Sequence, residues 1–389
     1  MRVLARAARR LATVAAVFCL GSASAGADED PLARIVGDTI RALMAEHDVP
    51  GMAVGIVVRG ERRVFAYGVA SRADGRKVTA DTLFEVGSVS KTFTATLGAY
   101  AQARGALALS DMASDRLPAL AGTGFDRISL LDLATYAAGG LPLQFPGAVD
   151  APEAMIAFYR GWRPAFPPGA RRLYSNPSIG LFGHIAARSL GRPFEAVMPE
   201  AIFAPLGLKN TFLRVPAARM ADYAWGYVGD GAAVRVRPGM LDAETYGIKT
   251  TASDLIRFVA ANINGADLDD ALRRAIADTH LGHFDVGPMV QGLGWEMIAP
   301  PATLERLQAA NAREIILEPQ PVRRLDPPRP PEPGALFDKT GSTKGFGAYV
   351  VFAPSQGVGV ALLANRNYPI PARVAAAHRI LSALGAVAP

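Results

Sequence analysis

A chain of 389 residues, half of them apolar, can bury a large core in one domain or two closely packed ones, which excludes a disordered protein. The formal charge is +6, but Arg2, Arg6, Arg9 and Arg10 crowd the N-terminus. Without them the balance is about +2, with no basic stripe and no interleaved aromatics, which argues against nucleic acid as a partner.

The four arginines precede an apolar run, Leu11 to Leu20, and then Ala23-Ser24-Ala25, which together read as a secretory signal over residues 1–25. The run is about half the ~20 residues needed to span a bilayer, so no stable membrane anchor is expected. The only cysteine, Cys19, should leave with the signal. A thiol-free mature chain excludes a disulfide framework, a cysteine nucleophile and cysteine-ligated zinc.

Leu32, Val36, Ile40 and Leu43 recur at helical spacing up to Asp48-Val49-Pro50, predicting an amphipathic helix. Met52 to Val58 and Arg63 to Val69, joined by Arg59-Gly60, predict a hairpin. Helical patterns follow at Lys91 to Arg104, Ser129 to Ala138, Ala151 to Arg160 and Ile179 to Leu190. Glu318 to Pro333 is Pro-rich and without periodicity, and reads as an extended surface connector. Phe346 to Phe352 and Val358 to Ala364 predict two more strands around Pro354-Ser355-Gln356-Gly357, and Ala372 to Leu384 a closing helix. The fold class is therefore α/β (α+β): an antiparallel sheet built from both termini and flanked by helices, with an inserted helical domain. The expected division is 26–85 with 195–389 as a discontinuous α/β domain, and 86–194 as the mainly helical one.

Three short segments carry candidate chemistry. In Gly87-Ser88-Val89-Ser90-Lys91, a Ser and a Lys three apart at a helix start share one face within hydrogen-bond reach. A serine hydroxyl needs a neighbouring base, and a helix N-terminus favours developing negative charge. Tyr174-Ser175-Asn176 follows the Pro167-Pro168-Gly169 turn and is expected in an extended or loop segment. Lys339-Thr340-Gly341-Ser342 is expected on a strand, where the glycine permits close approach. Each is commonplace alone. Only six lysines stand against 35 arginines, however, and two of the six fall in these motifs. Guanidinium could not relay a proton there.

In the order S-x-x-K, Y-S-N, K-T-G, the segments resemble the penicillin-recognising serine enzymes. Y-S-N, together with Phe84 to Lys91, Tyr174 to Phe182, Lys339 to Phe352 and Leu363 to Pro369, looks like the class C (AmpC-type) β-lactamases. The resemblance implies the β-lactamase/penicillin-recognising-enzyme fold, a periplasmic monomer, a small-molecule β-lactam substrate with cephalosporins favoured, and no cofactor or metal. It implies Ser88 as nucleophile, Lys91 and Tyr174 as the proton-handling pair, and Lys339 supporting the tyrosine and the substrate carboxylate. The N–H groups of Ser88 and Ser342 would form the oxyanion hole. Gln144 and Asn176 would hold the amide side chain, Thr340 and Asn367 would lie near the carboxylate, and Tyr246 would wall the side-chain pocket.

Lys344 and Ile370 depart from common class C sequences. Arg373 is either a substrate anchor or a surface arginine heading the last helix. A D-alanyl-D-alanine carboxypeptidase and a β-lactamase-like esterase share the Ser/Lys/Tyr core and are one rival reading; a non-catalytic penicillin-binding sensor that acylates and stops is the other. Ionising Tyr174 near pH 7 costs roughly 4 kcal/mol. One ammonium at ~4 Å in an effective dielectric of about 20 supplies as much. Either Tyr174 or a depressed Lys91 can then serve as base. His280 and His283 read as a surface loop rather than a metal site, and Phe158, Tyr159 and Trp162 as helix packing.

Overall fold

The computed structural model describes residues 30–388, so the expected signal lies outside the described residues. The Pro31–Glu46 helix is capped by the Asp30 carboxylate, which accepts from Leu32 N–H at 3.1 Å, and it buries Val36, Ile40 and Leu43. Gly51–Val58 and Glu61–Gly68 form the expected hairpin, pairing Met52 with Tyr67 and Val54 with Phe65.

Among the described residues, nine strands make one antiparallel sheet. Its order is Arg323–Arg329, Gly282–Val286, Met289–Gln291, Glu296–Ile298, Leu336–Ser342, Gly347–Ala353, Val358–Ala364, Gly51–Val58 and Glu61–Gly68. The N-terminal hairpin closes directly on a C-terminal strand, with Met52 opposite Ala364. Strands Gly347–Ala353 and Val358–Ala364 are buried along their whole length, which explains their unbroken apolar runs. Alternation divides their packing. Met52, Val54 and Ile56 join the core that includes residues of the Pro31–Glu46 and Ile370–Ala383 helices. Ala53 and Val57 join the core of the Ala252–Ile263 helix.

Two expectations are corrected. The Pro-rich stretch contributes the outer strand Arg323–Arg329, paired to Gly282–Val286 with a register break between Arg324 and Arg329. An edge strand tolerates Pro327 and Pro328 because one side of its backbone needs no partner. His280 and His283 are core residues, not a surface loop. His280 stacks 4.5 Å from the Phe337 ring and pairs its Nε2 with Asn262 Oδ1 at 3.0 Å. Burial pushes both imidazoles down to about 4, with Arg324 assisting at His283, so both are neutral at pH 7.

The Ser90–Ala103 and Asn176–Ser189 helices pack together beside the sheet, and Phe158, Tyr159 and Trp162 pack with Phe125 and Phe145. The two helices cross at Gly98, where a Cβ would stand 2.1 Å from Phe182 Cζ. Gly98→Ala is expected to lower the unfolding free energy by about 1–3 kcal/mol, outweighing alanine's better helix propensity. A reduced urea midpoint would bear this out, and an unchanged one would show that the Phe182 ring gives way freely.

Candidate active site

Ser88 lies in a single 3-10 turn, Gly87–Val89, which runs straight into the Ser90–Ala103 helix. Its side chain is half-buried, whereas Lys91, one turn on, is fully buried. Lys91 Nζ donates to Ser88 Oγ at 3.0 Å and to the Thr245 carbonyl at 2.9 Å. No carboxylate lies within ion-pair distance of it among the described residues. Burial therefore lowers the Lys91 pKa, further assisted by Lys339.

Tyr174 precedes the helix Asn176–Ser189, whose N-cap is Ser175. Asn176 thus opens the helix rather than lying in a loop. Ser175 Oγ donates to Pro142 C=O at 2.7 Å, and Asn176 N–H to Leu143 C=O at 3.0 Å, so the loop bearing Gln144 is tied to this turn. Two amino groups lie close to the Tyr174 ring, Lys91 Nζ 5.1 Å and Lys339 Nζ 5.2 Å from its centroid. Its hydroxyl is buried and committed to no well-formed hydrogen bond. Burial alone would raise the phenol's pKa, but Lys339 and Lys91 overcome that and bring it below the ordinary value.

Lys339 projects from the Leu336–Ser342 strand and sits 3.6 Å from Glu296 Oε1. Burial would depress this ammonium as well, yet Glu296, Tyr174 and Asp338 raise it. Behind them Arg172 is buried, donating to Gln291 Oε1 at 2.7 Å, to Ile315 C=O at 2.8 Å and to Glu296 Oε1 at 3.2 Å. Burial and Glu296 push Asp338 up to about 7, although its carboxyl accepts from Asn311 and Tyr349.

The strand approaches the serine turn through glycines. A Cβ on Gly341 would fall 1.9 Å from the Val86 carbonyl oxygen and 3.1 Å from Ser88 N, and one on Gly87, at φ +52°, 2.5 Å from Ser342 N. The backbones of Ser88 and Ser342 are therefore neighbours at the cleft. Arg373 braces the strand from behind, donating to Gly341 C=O at 2.7 Å, Ser342 Oγ at 3.0 Å and Asn367 Oδ1 at 2.6 Å. It is fully buried, so the surface-arginine reading is overturned, and its guanidinium is occupied with the protein itself.

One cavity of about 490 Å³ gathers Ser88, Gln144, Tyr174, Asn176, Tyr246, Lys339, Thr340, Ser342 and Asn367. Every expected site residue lines it except Lys91, which stands behind Ser88. The departures Lys344 and Ile370 line it as well. The buried Asn176 Oδ1 has no hydrogen-bond partner among the described residues, leaving an acceptor free for a ligand.

The comparisons agree with this architecture. The family model described as Beta-lactamase matches residues 36–385. A Pseudomonas fluorescens protein named Beta-lactamase is 53% identical over 90% of this chain and 98% of its own length. An Escherichia coli K12 protein of the same name is 43% identical over 96% of this chain and 99% of its own length.

The chain belongs to the beta-lactamase family.

A solved structure from Pseudomonas syringae, described as a beta-lactamase/D-alanine carboxypeptidase, superposes with a TM-score of 0.89 at 43% identity, covering 91% of this chain and 99% of that one. The fold is that of the β-lactamases and penicillin-recognising enzymes.

Three parts of the site escaped the motif-based reading of this family member. Arg172 and Glu296 sit outside all three motifs. For Glu296 the available signal was a glutamate ahead of the apolar Met297 and Ile298, since such a residue is buried only when paired; Arg172, in the two-residue strand Arg171–Arg172, gave none. The third is the segment after Leu241: Glu244 C=O accepts from Thr94 Oγ1, and Ile248 N–H donates to Ser90 Oγ, so this segment clamps the helix that carries Lys91.

Gly341→Ala should push the strand off the serine turn and cut kcat/KM by about a hundredfold, because a misplacement of about 1 Å costs that much. The check is steady-state hydrolysis of a chromogenic cephalosporin alongside circular dichroism. Full activity in a folded variant would show that the close approach is dispensable.

Proposed function

We propose that this chain is a serine β-lactamase of the class C type, favouring cephalosporins and forming an acyl-enzyme on Ser88. The observation that carries the reading is the hydrogen bond from a fully buried, pKa-lowered Lys91 to Ser88 Oγ, beside a phenol flanked by two ammonium groups. Ser88 Oγ attacks the lactam carbonyl while its proton passes to the Lys91/Tyr174 pair, and the charged oxygen is received by the Ser88 and Ser342 N–H groups. The C–N bond then breaks, and the nitrogen takes a proton back from the pair. Water, activated by Tyr174 or by the released amine, adds to the ester and frees Ser88.

In this reading Gln144 and the unpaired Asn176 Oδ1 hold the substrate's amide side chain. Lys339, Thr340 and Asn367 meet its carboxylate, and Tyr246 walls the pocket. The signal-like residues 1–25 support action in the periplasm, and in this reading the enzyme acts as a monomer without a cofactor. Among the described residues no helix is long and apolar enough to cross a membrane.

A D-alanyl-D-alanine carboxypeptidase is the second reading, because the Pseudomonas syringae neighbour is described as both. Purified wild-type protein is expected to hydrolyse a chromogenic cephalosporin with many turnovers, to act far more slowly on a D-alanyl-D-alanine peptide, and to lose both activities in Ser88→Ala. A single burst without turnover would defeat the β-lactamase reading in favour of a sensor, and faster peptide cleavage would favour the peptidase.

Tyr174→Phe should lower kcat by about 10² to 10⁴, the usual contribution of a positioned acid or base. With the Tyr174 and Lys91 pKa values both lowered, the wild-type rate should fall as pH drops and these groups take up protons. An unaltered rate and acid limb in Tyr174→Phe would remove this phenol from the chemistry.

A further inference from the structure

The proposed reaction assigns nothing to Tyr136, yet the chain holds it in an unusual way. Its backbone sits at φ +64°, in the left-handed region, an outlier for a bulky side chain. Further along the same loop φ is +105° and +98°, and there the chain uses Gly139 and Gly140. Position 136 keeps a large side chain despite the strain, which persists only where the surroundings enforce it.

Those surroundings are the site itself. Tyr136 follows the short Leu130–Ala134 helix, which a Ser129/Asp132 capping box begins. Ala137 N–H donates to Asp132 C=O at 2.8 Å, and the Tyr136 carbonyl accepts from Leu173 N–H at 3.0 Å, one residue before Tyr174. The backbone thus ties this turn to the segment that carries the phenol. A second tie is the side chain, which is buried with its ring centroid 4.7 Å from that of Tyr174 and the planes inclined at 44°. The Arg172 guanidinium lies 5.2 Å from the Tyr136 centroid and 5.7 Å from that of Tyr174, so both rings share one cation.

Both hydroxyls are buried, and neither makes a well-formed hydrogen bond among the described residues. A buried O–H without an acceptor is unfavourable, and such orphans mark places with a further role. Burial, and after it the charge of Tyr174, raise the Tyr136 pKa well above the ordinary tyrosine value; Arg172 opposes the rise, while Glu296 and side-chain hydrogen bonding to Tyr174 add to it. Burial would raise Tyr174 as well, but Lys339, Lys91 and Ser88 lower it. Asp338 acts on this group through Lys339, whose charge it supports. Ionisation therefore falls on Tyr174, and Tyr136 keeps its proton as a donor. Bonds of this kind are often loose in a free enzyme and tighten as charge develops.

We propose that Tyr136 is a positioning residue for Tyr174, fixing the phenol through its carbonyl and its ring and donating its hydroxyl to the Tyr174 oxygen when that oxygen carries charge. This rests on the β-lactamase reading, in which Tyr174 belongs to the proton-handling pair.

The test is Tyr136→Phe, which keeps ring and backbone and removes only the hydroxyl. Tyrosines isotope-labelled at Cζ are followed by NMR against pH in wild type and variant, the Tyr174 resonance being identified by its loss in Tyr174→Phe. A donor to the charged form lowers a pKa, so its removal should raise the pH at which Tyr174 titrates by about one pH unit, as one hydrogen bond to a charged group predicts. The acid limb of kcat on a chromogenic cephalosporin should rise by the same amount with KM unchanged. A residue that merely fills space would leave the titration where it stands, and a Tyr174 that titrates at the same pH in both proteins overturns the proposal. The titration needs no turnover. A shifted resonance in a protein that hydrolyses no β-lactam counts against the hydrolytic reading, and one beside an unmoved acid limb counts against Tyr174 as the base; in both cases the contact stands.

Discussion

Two ammonium groups and a phenol share one buried pocket, and the rest of the site is arranged around making that tolerable. Removing a charge from water costs several kcal/mol unless something pays it back. Lys339 is repaid by Glu296, which Arg172 balances in turn, and its pKa rises. Lys91 has only a hydroxyl and a carbonyl as partners, and its pKa falls. The same residue type is thereby given opposite tendencies at two positions 5.1 and 5.2 Å from the centre of one ring. Its raised pKa keeps Lys339 charged beside the phenol, whereas the lowered pKa of Lys91 makes that amine the easier of the two to deprotonate.

Such a pocket works only if its members are held from different parts of the fold. Lys91 comes from a helix, Tyr174 from the entry to another, and Lys339 from the middle of the sheet. Glycine makes the meeting of strand and helix possible, and Arg373 anchors the strand where Ser342 turns its backbone to the cleft. The segment from Glu244 to Ile248 closes the arrangement from the other side. It holds the Lys91 helix through the Glu244 and Thr245 carbonyls and the Ile248 N–H, and its Tyr246 lines the cavity that holds Ser88.

Much of this was legible beforehand where the signal is local. The hairpin after residue 50, the C-terminal strands and the long helices announce themselves by period, since one face of each must be apolar. The Ser88/Lys91 pairing follows from helical geometry alone, and the structure brings the two atoms to 3.0 Å. Edge pairing of a Pro-rich segment, and the burial of His280 and His283, left no periodic trace. Whether a proline needs its missing donor, or an imidazole meets water, depends on what the fold sets beside it.

The sequence by itself determined the inventory: a serine with a lysine one turn on, a tyrosine at a helix entry, and a lysine beside a glycine on a strand. These are consequences of residue type and short-range spacing. Only the tertiary structure decided which lysine is compensated and which is not, and that Arg373 is a buried brace. Charge states and free valences depend on desolvation and on neighbours far away in the chain, and those exist only once the chain has closed on itself.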